Sequence, residues 1–131
     1  MAKELKRVEI VSVDKDTVEK DSAFPKAYAF YINLSDKPDT LWVRYFEDEW
    51  EHALYSPKRE IKVIGDKLRL IFGLGEDIAH YEKVARQLVE RTNKRVERHI
   101  QKVEQEEKRE LAKQEEIEKE KDEIRKKSRE L

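Results

Sequence analysis

Three histidines, His52, His80 and His99, are the side chains in this sequence best suited to acid–base chemistry or metal binding. Glu76 precedes His80 by four residues, so these two side chains share one face if the segment is helical. A catalytic zinc ion needs three protein ligands, and carboxylates near His52 would have to complete the set from a second helix. Because one histidine and one carboxylate at this spacing are common by chance, we predict no catalytic residue, no metal site and no cofactor.

Two other kinds of reactive site find no support. The chain has no cysteine, which excludes a thiolate zinc site and a cysteine nucleophile, and its serines lie outside any nucleophile-elbow motif. The segment 73–77 has two glycines where a phosphate cradle would lie, but its two acids would repel a phosphate. We interpret it as a plain turn. An enzyme or small-ligand domain using His52, His80 and the aromatic residues is the least favoured of three functional hypotheses.

An aliphatic side chain recurs every seven residues near the end of the chain. The members of this aliphatic stripe are Val96, Val103, Ile117, Ile124 and Leu131, with Glu110 in the vacant turn. One aliphatic position per heptad can form half of a coiled-coil seam, but the companion positions are mostly polar. Two interpretations therefore stay open for residues 101–131: a weak or partner-dependent coiled coil, and a solvated helix.

A basic face lies on the same predicted helix, within about 100° of arc around its axis. Its members are Arg91, Lys94, Arg95, Arg98 and Lys102. Such a face could hold the phosphates of RNA, DNA or another polyanion. Overall neutrality and the absence of an aromatic residue in this stretch disfavour a dedicated nucleic-acid binder, so this function is the second hypothesis.

The strands that position these residues are predicted from side-chain alternation and turn chemistry. The segment 7–13 is rich in β-branched residues, and a loop is expected from there to Pro25. Residues 27–34 alternate between large apolar side chains on one face and smaller or polar ones on the other. Strands 60–64 and 67–72 flank Gly65 and Asp66, a pair typical of a two-residue type II′ hairpin.

Two helices are predicted from apolar side chains at helical spacing. The first spans about 39–54, with Asp36 as its cap and Pro38 in its first turn. The second begins near Glu76, with Glu76 and Asp77 in its first turn, and would be on the order of 80 Å long if it continued to about residue 129.

Aromatic residues cluster in the first helix and in strand 27–34, and we interpret them as core rather than as a ligand pocket: Tyr28, Phe30, Tyr31, Trp42, Tyr45, Phe46, Trp50 and Tyr55.

Charge is unevenly distributed along a nearly neutral chain. The 131 residues include 29 Lys or Arg and 30 Asp or Glu, and 21 of the last 31 residues are charged. Acid-first pairs four residues apart, such as Glu104 with Lys108 and Glu115 with Lys119, favour helix over disorder in this region. No apolar run is long enough to span a bilayer and no signal segment precedes the domain, so we expect a soluble, cytoplasmic protein.

These patterns predict an α+β fold in the order β-β-α-β-β-α, with a small antiparallel-rich sheet, helices packed on one face, and a very long charged C-terminal helix. We expect a domain over residues 1–100 and a helical extension over 101–131. The favoured function is a non-enzymatic protein-interaction or oligomerisation module that acts through this helix. Its expected partner is a second copy or another protein, and not a membrane.

Overall fold

The structure is a computed structural model that describes residues 7–54 and 59–131, apart from the side chain of Lys15. The predicted α+β class and element order are confirmed. The elements are β1 (Ile10–Asp21), β2 (Ala27–Leu34), α1 (Thr40–His52), β3 (Ile61–Ile64), β4 (Lys67–Gly73) and α2 (Ile78–Arg129). Tyr55, one of the aromatic residues predicted to belong to the core, lies outside the described residues.

The strands form one antiparallel sheet in the order β1-β2-β4-β3. In the centre of the sheet, Phe30 pairs with Leu70 and Ile32 pairs with Leu68. The β3–β4 hairpin turns at Gly65, whose φ of +60° favours glycine, whereas Asp66 is not in the positive-φ region. A positive φ at the first central residue alone agrees with the predicted type II′ turn.

The first strand is longer and begins later than predicted. A strand over 7–13 and a loop to Pro25 were expected, but β1 runs from Ile10 to Asp21. Its second half is polar because it lies at the sheet edge, where pairing with β2 holds it without a buried face. The register shifts between Asp14 and Glu19, where the Asp14 carboxylate accepts hydrogen bonds from the amides of Asp16 and Thr17 at 3.1 Å.

Both helices begin later than predicted. Asp39, rather than Asp36, caps α1 and accepts a hydrogen bond from the Trp42 amide at 2.9 Å; Pro38 precedes this cap. The predicted acidic first turn of α2 is wrong, since the helix begins at Ile78 and no acid lies in its first turn. Asp77 lies before the helix and accepts a hydrogen bond from the Ala79 amide at 3.0 Å.

The core lies on the sheet face that carries the large side chains of β2 and β4. Helix α1 contributes Trp42 and Phe46, whose rings stack with centroids 5.2 Å apart. Helix α2 contributes a run of buried side chains from Tyr81 to Val96. Of the aromatic residues predicted to form the core, Phe30, Trp42 and Phe46 are buried, as expected. Tyr28, Tyr31, Tyr45 and Trp50 are only partly buried, and the Tyr31 hydroxyl donates an exposed hydrogen bond to Glu19. The opposite face carries a smaller buried cluster of Ala27, Ala29 and Ile71, with Phe24 packed against it.

The chain divides into two compact units, one spanning Leu5–Val96 and the other including Glu97–Leu131. The second unit is helical to Arg129 and is exposed at every residue from Gln105 onward. Two ion pairs in this unit join residues three apart, Glu118 with Lys121 at 3.5 Å and Asp122 with Arg125 at 2.7 Å. Within the described part of the chain, no helix is long and apolar enough to cross a membrane.

Candidate functional site

The members of the aliphatic stripe differ in their exposure to solvent. Val96 is only 5% exposed and belongs to the core of the Leu5–Val96 unit, so it offers no free surface. Val103 is partly buried. Ile117 and Ile124 lie two turns apart on α2 and are 48% and 64% exposed. Leu131 is fully exposed but lies past the last helical residue. The exposed helical part of the stripe therefore centres on Ile117 and Ile124.

One exposed aliphatic residue of the same helix lies off this stripe. Leu111 is 60% exposed, and its separation of six residues from Ile117 places it about 120° away around the helix axis. The seven-residue pattern does not include Leu111, because Glu104 and Glu118 occupy the positions seven residues away. Leu111 is a natural control for the stripe, since it has the same chemistry and similar exposure on a different face.

The basic face is not a uniform surface. The Arg95 guanidinium donates a 2.6 Å hydrogen bond to Asp48, lies 3.7 Å from Glu49, and stacks over the Tyr45 ring. Lys94 lies 4.0 Å from Glu90. By contrast, Arg91, Arg98 and Lys102 form no ion pair with any residue that the structure describes. Arg95 is thus neutralised by carboxylates of the domain itself, whereas Lys94 lies at the limit of ion-pair distance from a carboxylate that the Arg7 guanidinium contacts at 2.7 Å.

A cleft of about 390 Å³ opens between the end of α1 and the adjoining turns of α2. We call it the cationic cleft, because the titratable side chains among its described lining residues are all basic. It is lined by His52, Ala53, Leu54, His80, Lys83, Val84, Gln87, Leu88 and Arg91. The α2 residues recur at spacings of three and four, the signal by which the sequence could have identified this wall. The sequence analysis singled out only His52, His80 and Arg91 from this set.

The turn between β4 and α2 is a polar lock rather than a phosphate cradle. The Glu76 carboxylate accepts hydrogen bonds from the Arg59 guanidinium at 2.8 and 3.0 Å, from the Gly73 amide at 2.7 Å, and from the Tyr81 hydroxyl. A side chain at Gly73 would clash with this carboxylate. The Arg59 guanidinium also lies 4.2 Å from the centre of the Phe24 ring.

Burial and hydrogen bonding act in opposite directions on the ionisation of this lock. Burial alone would raise the pKa of Glu76, but the hydrogen bonds from Tyr81, Arg59 and Gly73 outweigh it and lower that pKa. Burial, together with the hydrogen bond to the Glu76 carboxylate, raises the pKa of Tyr81 to about 12. The group is therefore an ionised carboxylate held by neutral and cationic donors, and it stabilises the start of α2.

The histidines do not form a metal centre with the acids that the sequence offered. His80 and His52 line the cationic cleft from different helices, whereas Glu76 is engaged in the lock. The His52 Nδ1 atom lies 2.8 Å from the Asp48 carbonyl oxygen and 3.4 Å from the Asp48 carboxylate. Among residues 7–54 and 59–131, no group of three or more His, Asp or Glu side chains could hold a metal ion.

Comparison with protein-family models, curated proteins and solved structures finds no significant match for this chain. The exposed aliphatic residues suit association, and the cationic cleft suits binding of an anion.

Proposed function

We propose that this chain is a non-enzymatic association module whose helical segment 97–129 pairs with the same segment of a second copy. The observation that carries the proposal is the exposure of Ile117 and Ile124, one heptad apart on a helix that no other described element covers in the region beyond Gln105. Most helical stability in proteins comes from packing of an apolar face. Pairing would provide that packing for this segment.

The energetics favour a weak, concentration-dependent complex. Complete burial of each isoleucine contributes about 1.5–3 kcal/mol, and a dimer would bury Ile117 and Ile124 from both copies. Association costs at least about 4 kcal/mol in lost rotational and translational freedom. The polar companion positions add little, so these terms leave at most about 8 kcal/mol of net stabilisation, and we expect a dissociation constant no tighter than about micromolar. We propose the cytoplasm as the site of action, in agreement with a chain that has no cysteine to form disulfides.

The test compares the molar mass of three full-length chains by light scattering after size exclusion. Ile117→Lys with Ile124→Lys places four charges in the proposed dimer seam without lowering helix propensity, and we expect it to abolish association. Leu111→Lys is the matched control and should associate as the unmodified chain does. Equal masses for all three chains, or equal loss of association in both variants, would contradict a role for the stripe.

Polyanion binding through the basic face is the second candidate, and it is favoured by one observation. Arg91, Arg98 and Lys102 have no carboxylate partner in the described part of the chain. Binding of a nucleic acid through them would weaken as salt rises and would be lost after reversal of Arg91 and Arg98. Binding that is insensitive to both changes would remove this candidate.

A further inference from the structure

We propose that the cationic cleft binds a small oxyanion, a phosphate monoester or a carboxylate, that carries a compact apolar group. The inference is independent of helix association, because the cleft is built entirely from residues of the Leu5–Val96 unit. Two observations carry it: Lys83 and Arg91 line the cleft without a carboxylate partner among the described residues, and the cleft places this charge beside an apolar floor.

On the part of α2 that belongs to the Leu5–Val96 unit, the bases outside the cleft lie within ion-pair distance of acids. Arg86 lies 2.9 Å from Glu82, and Arg95 lies 2.6 Å from Asp48. Lys83 and Arg91, which line the cleft, have no such partner among the residues that the structure describes. Positive charge concentrated in a concave site raises the local concentration of anions, so this is where an anionic ligand gains most.

The Asp48 carboxylate near His52 is not part of the cleft wall. Asp48 is 3.4 Å from the His52 Nδ1 atom, but it also accepts the Arg95 hydrogen bond and does not line the cleft. No Asp or Glu appears among the described lining residues. His52 and His80 face the cleft from opposite helices and add ring nitrogens to the Lys83 and Arg91 cations.

The apolar and neutral residues of the lining indicate which group the anionic ligand carries. Val84 and Leu88 are 8% and 2% exposed and form an apolar floor, and Leu54 at the rim is fully exposed. The Gln87 amide adds one neutral polar group to the wall. A volume of about 390 Å³ falls in the usual range for small-molecule sites. An oxyanion alone would leave the floor uncovered, whereas one attached to a small ring or a short chain would cover it.

The experiment titrates the full chain with three small probes and follows backbone amide signals by NMR. Phenyl phosphate and benzoate carry the two oxyanions on the same ring, and benzyl alcohol is their neutral counterpart. The variant with Lys83→Gln and Arg91→Gln removes both unpaired cations of the cleft. Arg86→Gln is the matched control, because it removes one exposed base of the same helix outside the cleft. All these side chains are exposed, so the fold should persist in both variants.

We expect at least one anionic probe to bind saturably, with shifts confined to the amides around residues 52–54 and 80–91, and benzyl alcohol to bind far more weakly. The tighter of the two anions identifies the oxyanion. Loss of the charge-assisted hydrogen bonds should weaken binding at least about tenfold in the double variant and leave the Arg86→Gln variant unchanged. Non-saturable shifts, equal binding of the neutral probe, or equal weakening in both variants would overturn the proposal.

Discussion

The side-chain amide of Asn93 joins three segments of the chain that are far apart in sequence. Its Oδ1 atom accepts a hydrogen bond from the Trp42 indole nitrogen at 2.9 Å and one from the Val8 amide at 3.3 Å. Its Nδ2 atom donates to the Val8 carbonyl oxygen at 2.7 Å. Asn93 is 3% exposed, so these bonds form in a water-poor environment and fix α1 and the chain before β1 against α2.

Replacing Asn93 with leucine should therefore destabilise the fold strongly. The apolar side chain leaves the Trp42 and Val8 polar groups buried without partners, and each such group costs about 1–3 kcal/mol. We expect the free energy of unfolding, measured with urea, to fall by at least about 3 kcal/mol. Asn33→Leu, which loses only an exposed hydrogen bond to Ser12, should change it by less than about 0.5 kcal/mol. Equal effects would contradict the role of Asn93.

The lock around Glu76 predicts a loss of stability in acid. Its hydrogen bonds lower the pKa of Glu76 below the ordinary value of 4.5, so the stabilisation is complete above that pH and is lost as the pH falls through the folded-state pKa. Between about pH 5 and 3, the free energy of unfolding should fall more steeply for the unmodified chain than for Glu76→Gln. Parallel pH profiles would show that the carboxylate is not stabilised by folding.

Tyr81 predicts the opposite dependence at alkaline pH. Burial and the Glu76 carboxylate raise its pKa from 10.0 to about 12, so the folded state keeps the proton that the unfolded state loses. This contribution is complete below pH 10 and is lost as the pH rises through the folded-state pKa. Tyr81→Phe should remove this part of the alkaline slope of the unfolding free energy. A variant with an unchanged slope would rule out the hydroxyl as its source.

Arg95 and Arg98 should behave differently although both belong to the predicted basic face. Arg95 is paired with Asp48 and lies over Tyr45, with a side chain that is 31% exposed. Because the Asp48 side chain is 46% exposed, the ion pair is screened, and Arg95→Ala should cost only about 1 kcal/mol of unfolding free energy. Arg98→Ala should cost less than about 0.5 kcal/mol. Equal costs in urea unfolding would indicate that the Arg95 contacts contribute nothing.

Local sequence patterns predict the elements whose bounds are set by alternation, by helical spacing or by turn residues. The alternation over 27–34 matches the bounds of β2, and Gly65 takes the positive φ that the hairpin requires. The spacing of Trp42 and Phe46 identified α1 despite its aromatic, strand-like composition. In these segments, period and turn chemistry agree with the tertiary environment, so the sequence alone is sufficient.

The errors occur where distant contacts decide the outcome. Residues 14–21 have no apolar alternation, because an edge strand is held by backbone pairing with β2 rather than by a buried face. Glu76 looked like a helix-start acid, but Arg59 and Tyr81 hold it outside the helix. The cationic cleft combines His52 with Lys83, which are distant in sequence. No local sequence pattern could have predicted that these two residues line the same cleft.

The central claim, association through the helical segment, is tested most directly by the molar mass of the unmodified full-length chain in sedimentation equilibrium over a wide concentration range. The chain mass is 15.8 kDa. We predict a mass that rises with concentration toward twice this value, with a midpoint no lower than about micromolar. A mass of 15.8 kDa at every concentration would contradict self-association.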